Sequence, residues 1–486
     1  MGVLLLFNGG FMLLSTLVSI FTNDGQSVEL ALAAMLTLLV GSIMTLISRN
    51  HTKQLSKREG YLIVSLGWLL MSFTGMLPYL FTGTFTNFTS AFFETMSGYT
   101  TTGSSVLVNI EQVPKGVLFW RSTTHWIGGM GIIVLAIAIL PLLGIGGMQL
   151  FTAEAPGPSS DKLHPRITDT AKRLWYIYVG FTVIETLLLW AAGMSLFDAT
   201  NHAMSTVSTG GFSTKNASVS FWNDQPLVQY IITVFMFLAG INFVLSYYVF
   251  TGQGRKIIAD EEFGFYAKMI ALCTLVVAGC IVLNVDLSES SLNHPQPFGK
   301  VESAFRHGLF QVTAVITTTG FVTADFTAWT PLLTLLFFGL MFMGGSAGST
   351  SGGIKGVRHY LMIKSGLMEF KRTLHPNAVL QIRYNKAVVQ EKVMHNIYGF
   401  FILYMLSFII GALGFSLLGL DFESAIGVAA SSLGNVGPAL GDYGPVFSFS
   451  ALPAGGKMWA SFLMILGRLE LFTVLILFTP FFWKKI

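Results

Sequence analysis

Thr100-Thr101-Thr102-Gly103-Ser104 is echoed three times along the chain, as Ser208-Thr209-Gly210-Gly211-Phe212, Thr317-Thr318-Thr319-Gly320-Phe321 and Gly434-Asn435-Val436-Gly437-Pro438. Each segment has glycine at its fourth position, and these glycines are 108, 109 and 117 residues apart. One Thr/Gly loop reads as a turn. Four at near-even spacing predict an internal repeat. Glycine lets successive carbonyls turn toward one axis without a Cβ penalty. A ring of such carbonyls can replace the water shell of a cation. Ion contacts are therefore expected from Thr101, Thr102, Gly103, Thr209, Gly210, Gly211, Thr318, Thr319, Gly320, Asn435, Val436 and Gly437. The fourth segment lacks threonine, so the ring is expected to be fourfold in outline only.

The composition sets the solvent. The chain is 52% hydrophobic and 11% charged, where a soluble protein carries about a quarter charged residues. Its mean hydropathy is +0.65. Long apolar runs place it in a lipid bilayer. Fifty-one glycines against fifteen prolines suit close helix packing and broken helices. Cys273 and Cys280 share one apolar run and read as small buried hydrophobes, too few for a thiolate metal site. The apolar stretch 3–21 lacks a basic leader and a cleavage site, so it reads as a membrane helix rather than a signal peptide. The net charge of +4 forms no nucleic-acid-binding stripe.

Ten segments look long enough to cross ~30 Å of hydrocarbon: 3–22, 29–48, 60–82, 118–143, 173–194, 226–250, 264–284, 331–361, 393–417 and 456–482. Four shorter segments, 89–101, 198–209, 302–318 and 422–433, each precede a Thr/Gly loop and read as re-entrant half-helices. The expected fold is an all-α integral membrane protein. Two leading transmembrane helices (1–58) precede four parallel repeats of span, pore helix, filter loop and span. The repeats are expected at 59–152, 153–255, 256–380 and 381–486, around a pseudo-fourfold pore.

Charge gives orientation. Segments 49–58, 143–173, 251–268, 355–392 and the tail after 482 hold 21 of the 28 Lys and Arg residues. The filter side keeps Lys115, Arg121, Lys215, Lys300, Arg306 and Lys457. The positive-inside rule then turns the filter loops outward. A connector, Ala155-Pro156-Gly157-Pro158 with Asp161, Lys162 and Arg166, is expected on the basic side. The basic 355–392 loop fits either lipid headgroups or a cytosolic partner.

Two features suggest a gate. The eighth span is interrupted by Gly344-Gly345-Ser346-Ala347-Gly348-Ser349-Thr350-Ser351-Gly352-Gly353. Irregular backbone at membrane depth must be protein-buried or line water. The alternative is a span ending at Gly344 with a cytoplasmic loop beyond it. Lys355 is expected to hold this loop by pairing. Arg468 lies inside the last span, where a charge needs water or a partner. It reads either as a pore barrier or as one half of a salt bridge between repeats. Asp198 and Asp421 are expected to cap half-helices two and four, or weakly to concentrate cations at the mouth.

On these four loops, the 344–353 break, Arg468 and the stretch around Glu154 to Pro158, the chain resembles the TrkH subunits of bacterial Trk potassium uptake systems, within the TrkH/KtrB/HKT superfamily. The resemblance covers essentially the whole chain. It implies a K⁺ pathway lined by Gly103, Gly211, Gly320 and Gly437, with K⁺ as the transported ion and no organic cofactor. Sodium-preferring HKT members carry serine at the first filter glycine, so Gly103 implies K⁺ over Na⁺. The resemblance also implies a gate comprising Gly344, Gly345, Ser346, Gly348, Gly352, Gly353, Lys355 and Arg468. It further implies a homodimer in the bacterial inner membrane, docked on a cytosolic ring of nucleotide-binding TrkA-type subunits.

The competing reading is a coupled K⁺/H⁺ or K⁺/Na⁺ symporter. Proton coupling usually needs an intramembrane relay, and Glu94, His125, Glu185 and Glu470 form no obvious chain. An enzyme would need a nucleophile–base set or a metal cluster, and no catalytic residues are assigned. Asn87-Phe88-Thr89 and Asn216-Ala217-Ser218 match glycosylation sequons, read as chance in a bacterial chain.

Overall fold

The computed structural model describes residues 1–48, 57–134, 163–286, 292–378 and 380–484. The connector at 155–158, with Asp161 and Lys162, lies outside these residues, as do Arg49 and Lys53 of the first basic segment.

The described chain is helical apart from one small hairpin, Arg383–Tyr384 paired antiparallel with Ala387–Val388. Its two-residue turn, Asn385 and Lys386, has positive φ at both positions, as a type I′ hairpin requires. Among the described residues six helices are long and apolar enough to cross a bilayer: Gly2–Thr22, Ser27–Ser48, Arg58–Phe81, Lys172–Ala191, Glu261–Asn284 and Glu391–Leu417. The chain is a multi-pass membrane protein.

Three expected spans are not single rods. Pro226–Ala239 and Phe243–Phe250 meet at 107°, and Ala454–Arg468 and Phe472–Phe478 meet at 112°. At the first bend Gly240 O accepts from Ser346 N (2.8 Å), and the Asn242 side chain caps the next helix through Val244 N (2.8 Å). At the second, Glu470 and Leu471 take left-handed φ of 55° and 50°, and Arg358 holds Glu470 at 2.6 Å. The third, expected at 331–361, is helical over Pro331–Leu340 and resumes as Gly356–Leu374. The helix Lys115–Val134 is rich in polar groups, and Arg121, Ser122, Thr123, Thr124 and His125 are all buried in protein.

Four short helices fill the interior: Phe88–Tyr99, Leu196–Val207, Lys300–Ile316 and Phe422–Gly434. Every residue from Ser90 to Tyr99 is buried. Beyond their first turns the other three are largely buried too, which explains the small and polar residues there, while Leu196, Val301 and Phe422 near their starts are exposed. Three starts are capped by side chains. Asn87 accepts from Ser90 N (3.0 Å), Ser195 from Asp198 N (3.0 Å), and Asp421 from Glu423 N and Ser424 N (3.1 and 3.2 Å). The expected cap at Asp198 is therefore corrected. Ser195 starts that helix, and Asp198, three residues on, accepts the hydroxyls of Ser195 (2.8 Å) and Thr214 (2.6 Å). This departs from a capping box, because the Asp198 carboxylate takes the Ser195 hydroxyl and not its backbone N–H.

Replacing the Asp421 carboxylate leaves two end N–H groups without that acceptor. Asp421→Ala should lower stability by about 1 kcal/mol, read as an earlier thermal unfolding midpoint of the detergent-solubilised protein.

Candidate functional site

Each short helix ends in the same way. Two residues before the loop glycine, the backbone turns left-handed, at Thr101 (φ 51°), Thr209 (φ 55°), Thr318 (φ 56°) and Asn435 (φ 54°). The next N–H reaches five residues back: Thr102 to Ser97 (2.9 Å), Gly210 to Ser205 (2.8 Å), Thr319 to Ala314 (2.8 Å) and Val436 to Ser431 (3.0 Å). This is the helix-ending bond usually made around glycine. A β-branched residue in that conformation stores strain, and here threonine does so three times.

Side chains brace the turns. Thr100 pairs with Thr102, and Thr317 with Thr319, each at 2.8 Å. Asn435 Nδ2 donates to Thr102 Oγ1 (3.0 Å) and to Met464 O (2.9 Å). The fourth loop therefore reaches the first, although they lie at opposite ends of the sequence. Asparagine tolerates left-handed φ and supplies the donor, which accounts for its presence where threonine is missing.

The four glycines then interlock. A Cβ added to Gly103 would fall under 3.0 Å from Gly210 O, one on Gly211 from Thr319 O, one on Gly320 from Val436 O, and one on Gly437 from Thr102 O. The cycle runs first to second to third to fourth and back to first. Four backbone oxygens, from Thr102, Gly210, Thr319 and Val436, thus lie one residue before the glycines and each against the glycine of the preceding loop, the first loop's oxygen against the fourth. The glycines have φ of 87°, 81°, 71° and 104°. Both the conformation and the lack of space exclude side chains. The carbonyl ends of four helices converge here, which favours positive charge.

The 344–353 segment turns inward beneath this ring. Gly352 N donates to Thr318 Oγ1 (2.6 Å), and Thr350 Oγ1 to Val207 O (3.0 Å). Gly344 N bonds Ile354 O (2.9 Å), closing the segment into a loop across a Met343–Ile354 bridge. Ser346, Ser349, Thr350 and Ser351 are buried. The segment after Gly344 is thus packed in protein and is not an exposed loop. Among the described residues no carboxylate forms a salt bridge with Lys355; its Nζ donates to Ser351 O within the loop.

Arg468 reaches the same place. Its Nη1 donates to Thr350 O (2.7 Å) and its Nη2 to Gly128 O (3.3 Å). Among the described residues no carboxylate pairs with it, and Glu470 pairs with Arg358 instead. Arg468 is therefore a buried cation bonded to backbone oxygens, one of them in the loop.

The sequence reading missed Glu262. This buried carboxylate accepts from Ala347 N (2.8 Å) and Val357 N (2.9 Å), one inside the loop and one just beyond it. In the sequence it looks like an ordinary acid in the first turn of Glu261–Asn284, favoured there by the helix dipole. Among the described residues no hydrogen bond joins any two of the relay candidates. Glu94 pairs with Arg121 (2.7 Å), His125 stacks on Phe212 (3.9 Å), Glu185 lies beside Thr206, and Glu470 meets Arg358. No cluster of three or more His, Cys, Asp or Glu that could hold a metal occurs among the described residues.

Known proteins share this architecture. A family model described as "TrkH: Cation transport protein" matches residues 26–485. The Trk system potassium uptake protein TrkH of Salmonella typhimurium is 39% identical over 491 residues, spanning 100% of this chain and 98% of that protein. The Trk system potassium uptake protein TrkG of Escherichia coli is 36% identical over 436 residues, spanning 89% and 87%. The crystal structure of the potassium transporter TrkH from Vibrio parahaemolyticus superposes with a TM-score of 0.88 at 36% identity, over 99% of this chain and 98% of that one.

Glu262→Ala would leave two buried N–H groups without their acceptor, at about 1–3 kcal/mol. Amides 345–357 should then exchange hydrogen faster, while those of the four short helices keep their protection.

Proposed function

Because this chain belongs to the TrkH family of cation transport proteins, we propose that it is the K⁺-translocating subunit of a potassium uptake system and that it conducts as a gated, channel-like pore. The family transports ions and is not an enzyme family. The observation that carries the reading is the closed cycle of glycine-to-carbonyl contacts at Gly103, Gly211, Gly320 and Gly437. In this reading Thr101, Thr102, Thr209, Gly210, Thr318, Thr319, Asn435 and Val436 complete the filter. Their backbone oxygens replace the hydration shell of K⁺, and the helix ends make the site electronegative. Glycine at 103 favours K⁺ over Na⁺.

The gate lies below. The 344–353 loop closes the path, Lys355 braces it from within, and Arg468 adds a positive barrier that repels resident ions. Opening requires the loop to leave Thr318, Thr350 to leave Val207, and Arg468 to release Thr350. In this reading the four repeats span 59–152, 153–255, 256–380 and 381–486, after two leading helices. The protein sits in the bacterial inner membrane with its filter outward, as the 21 basic residues on the other side favour. A homodimer presents the basic 355–392 face to a cytosolic nucleotide-binding ring, which drives the gate. Conduction is preferred to symport because, among the described residues, no hydrogen bond joins any two of Glu94, His125, Glu185 and Glu470, and the contact between the first two runs through Arg121 and the Phe212 ring, which relay no proton.

⁸⁶Rb⁺ uptake into proteoliposomes, with K⁺ or Na⁺ as competitor, tests the transport reading. Competition by K⁺ well above that by Na⁺ is expected, and equal competition refutes it. Opposed K⁺ and pH gradients test the mechanism: the reversal potential should follow K⁺ alone. Gly103→Ser should raise Na⁺ entry relative to K⁺, since the new side chain displaces Gly210 O. Arg468→Ala should raise basal flux by roughly tenfold or more, the change that ~1.4 kcal/mol of barrier produces.

A further inference from the structure

A carbonyl ring selects by size only if it resists contraction onto a smaller ion. The limb of chain leaving each filter glycine must therefore be anchored. Nine residues before these glycines, the short helices carry Glu94, His202, Gln311 and Val428. The first three reach the outgoing limb at the same level. Glu94 accepts from Ser105 Oγ and Val106 N, both at 2.8 Å. His202 Nε2 meets Ser213 Oγ at 2.9 Å. The Gln311 amide oxygen, in the orientation that satisfies its neighbours, accepts from Thr323 N (2.7 Å) and Ala324 N (3.2 Å). These targets lie two to four residues after the glycine in every case.

The chemistry at each anchor is directional. His202 Nδ1 faces the carbonyl of Asp198 (2.8 Å) and so carries the proton. Its Nε2 then accepts from Ser213, whose oxygen accepts from Lys215 N (3.0 Å). Arg121 links two anchors. It donates Nε to Glu94 (2.7 Å) and Nη1 to Ser213 O (2.9 Å), and its guanidinium lies over the Phe212 ring at 3.5 Å. Limb two is thus tied to the anchor of limb one.

The fourth limb is held otherwise. Val428 offers no polar atom. A Cβ on Gly427 would lie 2.5 Å from Leu440 N, so the limb is pressed directly on the helix. Ala439 N bonds Tyr443 O (2.9 Å), and Ser424 Oγ accepts from Asp442 N (3.1 Å).

We infer that Glu94, His202 and Gln311, at one shared register behind the filter, are positioning residues that set K⁺ over Na⁺ discrimination by holding three of the four outgoing limbs at fixed distance. They touch no ion. The inference rests on the four loops being the filter. Its consequence is specific: an anchor lost to an isosteric apolar side chain lets the ring close on Na⁺ without blocking the path.

The test uses the full-length protein in proteoliposomes and reads the ratio of Na⁺ to K⁺ concentrations that halve ⁸⁶Rb⁺ uptake. His202→Leu and Gln311→Leu should each lower that ratio by about tenfold, as expected when a buried hydrogen bond is lost. Maximal uptake per incorporated protein should stay near the parent value. The exchange variant carrying both His202→Gln and Gln311→His keeps an acceptor at each anchor and should retain the parent ratio. Thr200→Ala, on the same helix but bonded only to Leu196 O, should change nothing. An unchanged ratio in the Leu variants overturns the inference, as does an equal loss in the exchange variant. If the Leu variants fail to incorporate, Ser213→Ala removes the same bond from its other end. A fall in its ratio upholds the inference, and the parent ratio overturns it. Absence of uptake by the parent protein would instead sink the transport reading itself.

Discussion

Four stretches of backbone compete for one small volume, and the competition is settled by leaving out side chains. Each loop lays a carbonyl oxygen where the preceding loop's Cβ would be, at Gly103, Gly211, Gly320 and Gly437. The positive φ at these positions would strain other residues, but the close approach is the harder constraint. No rotamer adjustment relieves a clash of Cβ with backbone. Everything around the ring can be read as support for this contact: four short helices aimed at it, left-handed turns that end them, and hydroxyl pairs that stiffen the turns.

That support is built from unlike parts. Three helices end through a threonine in left-handed conformation and the fourth through Asn435. The asparagine does two jobs, since its amide also ties Thr102. Behind the loops, a carboxylate, an imidazole and an amide occupy one register, while the fourth helix packs directly on its limb. The site is equivalent in backbone and diverse in side chain. Once four copies share a single polypeptide, each can change alone, provided the main-chain geometry survives.

Sequence alone carried much of this. The loops, their spacing and the half-helices before them were legible because glycine and threonine recur at fixed offsets. The 344–353 break was legible because ten successive residues offer no apolar side chain beyond alanine. Two of the expected spans were misjudged as straight, since hydropathy records which residues avoid water and not the direction of the axis. The bends at Gly240 and Glu470 follow from tertiary partners, Ser346 and Arg358, that lie more than a hundred residues away. Glu262 was invisible for the same reason. An acid in a first turn has a sufficient local explanation, and its grip on Ala347 and Val357 exists only in three dimensions. Asp198 looked like a cap because a start was expected there, but the helix begins at Leu196 with Ser195 as its cap.

The seam between the last loop and the first has a bearing on biogenesis. Gly437 meets Thr102, and Asn435 reaches back across more than three hundred residues to the same threonine. A ribosome delivers the other three members well before this closing piece. Until it arrives, the nascent assembly has an open flank with unpaired main-chain oxygens inside the bilayer. On the proposed reading such a chain is a horseshoe and not yet a conduit. Membrane leakiness is thereby deferred to the end of translation, and products truncated before the final segment would present a recognisable defect to the proteases that survey the membrane.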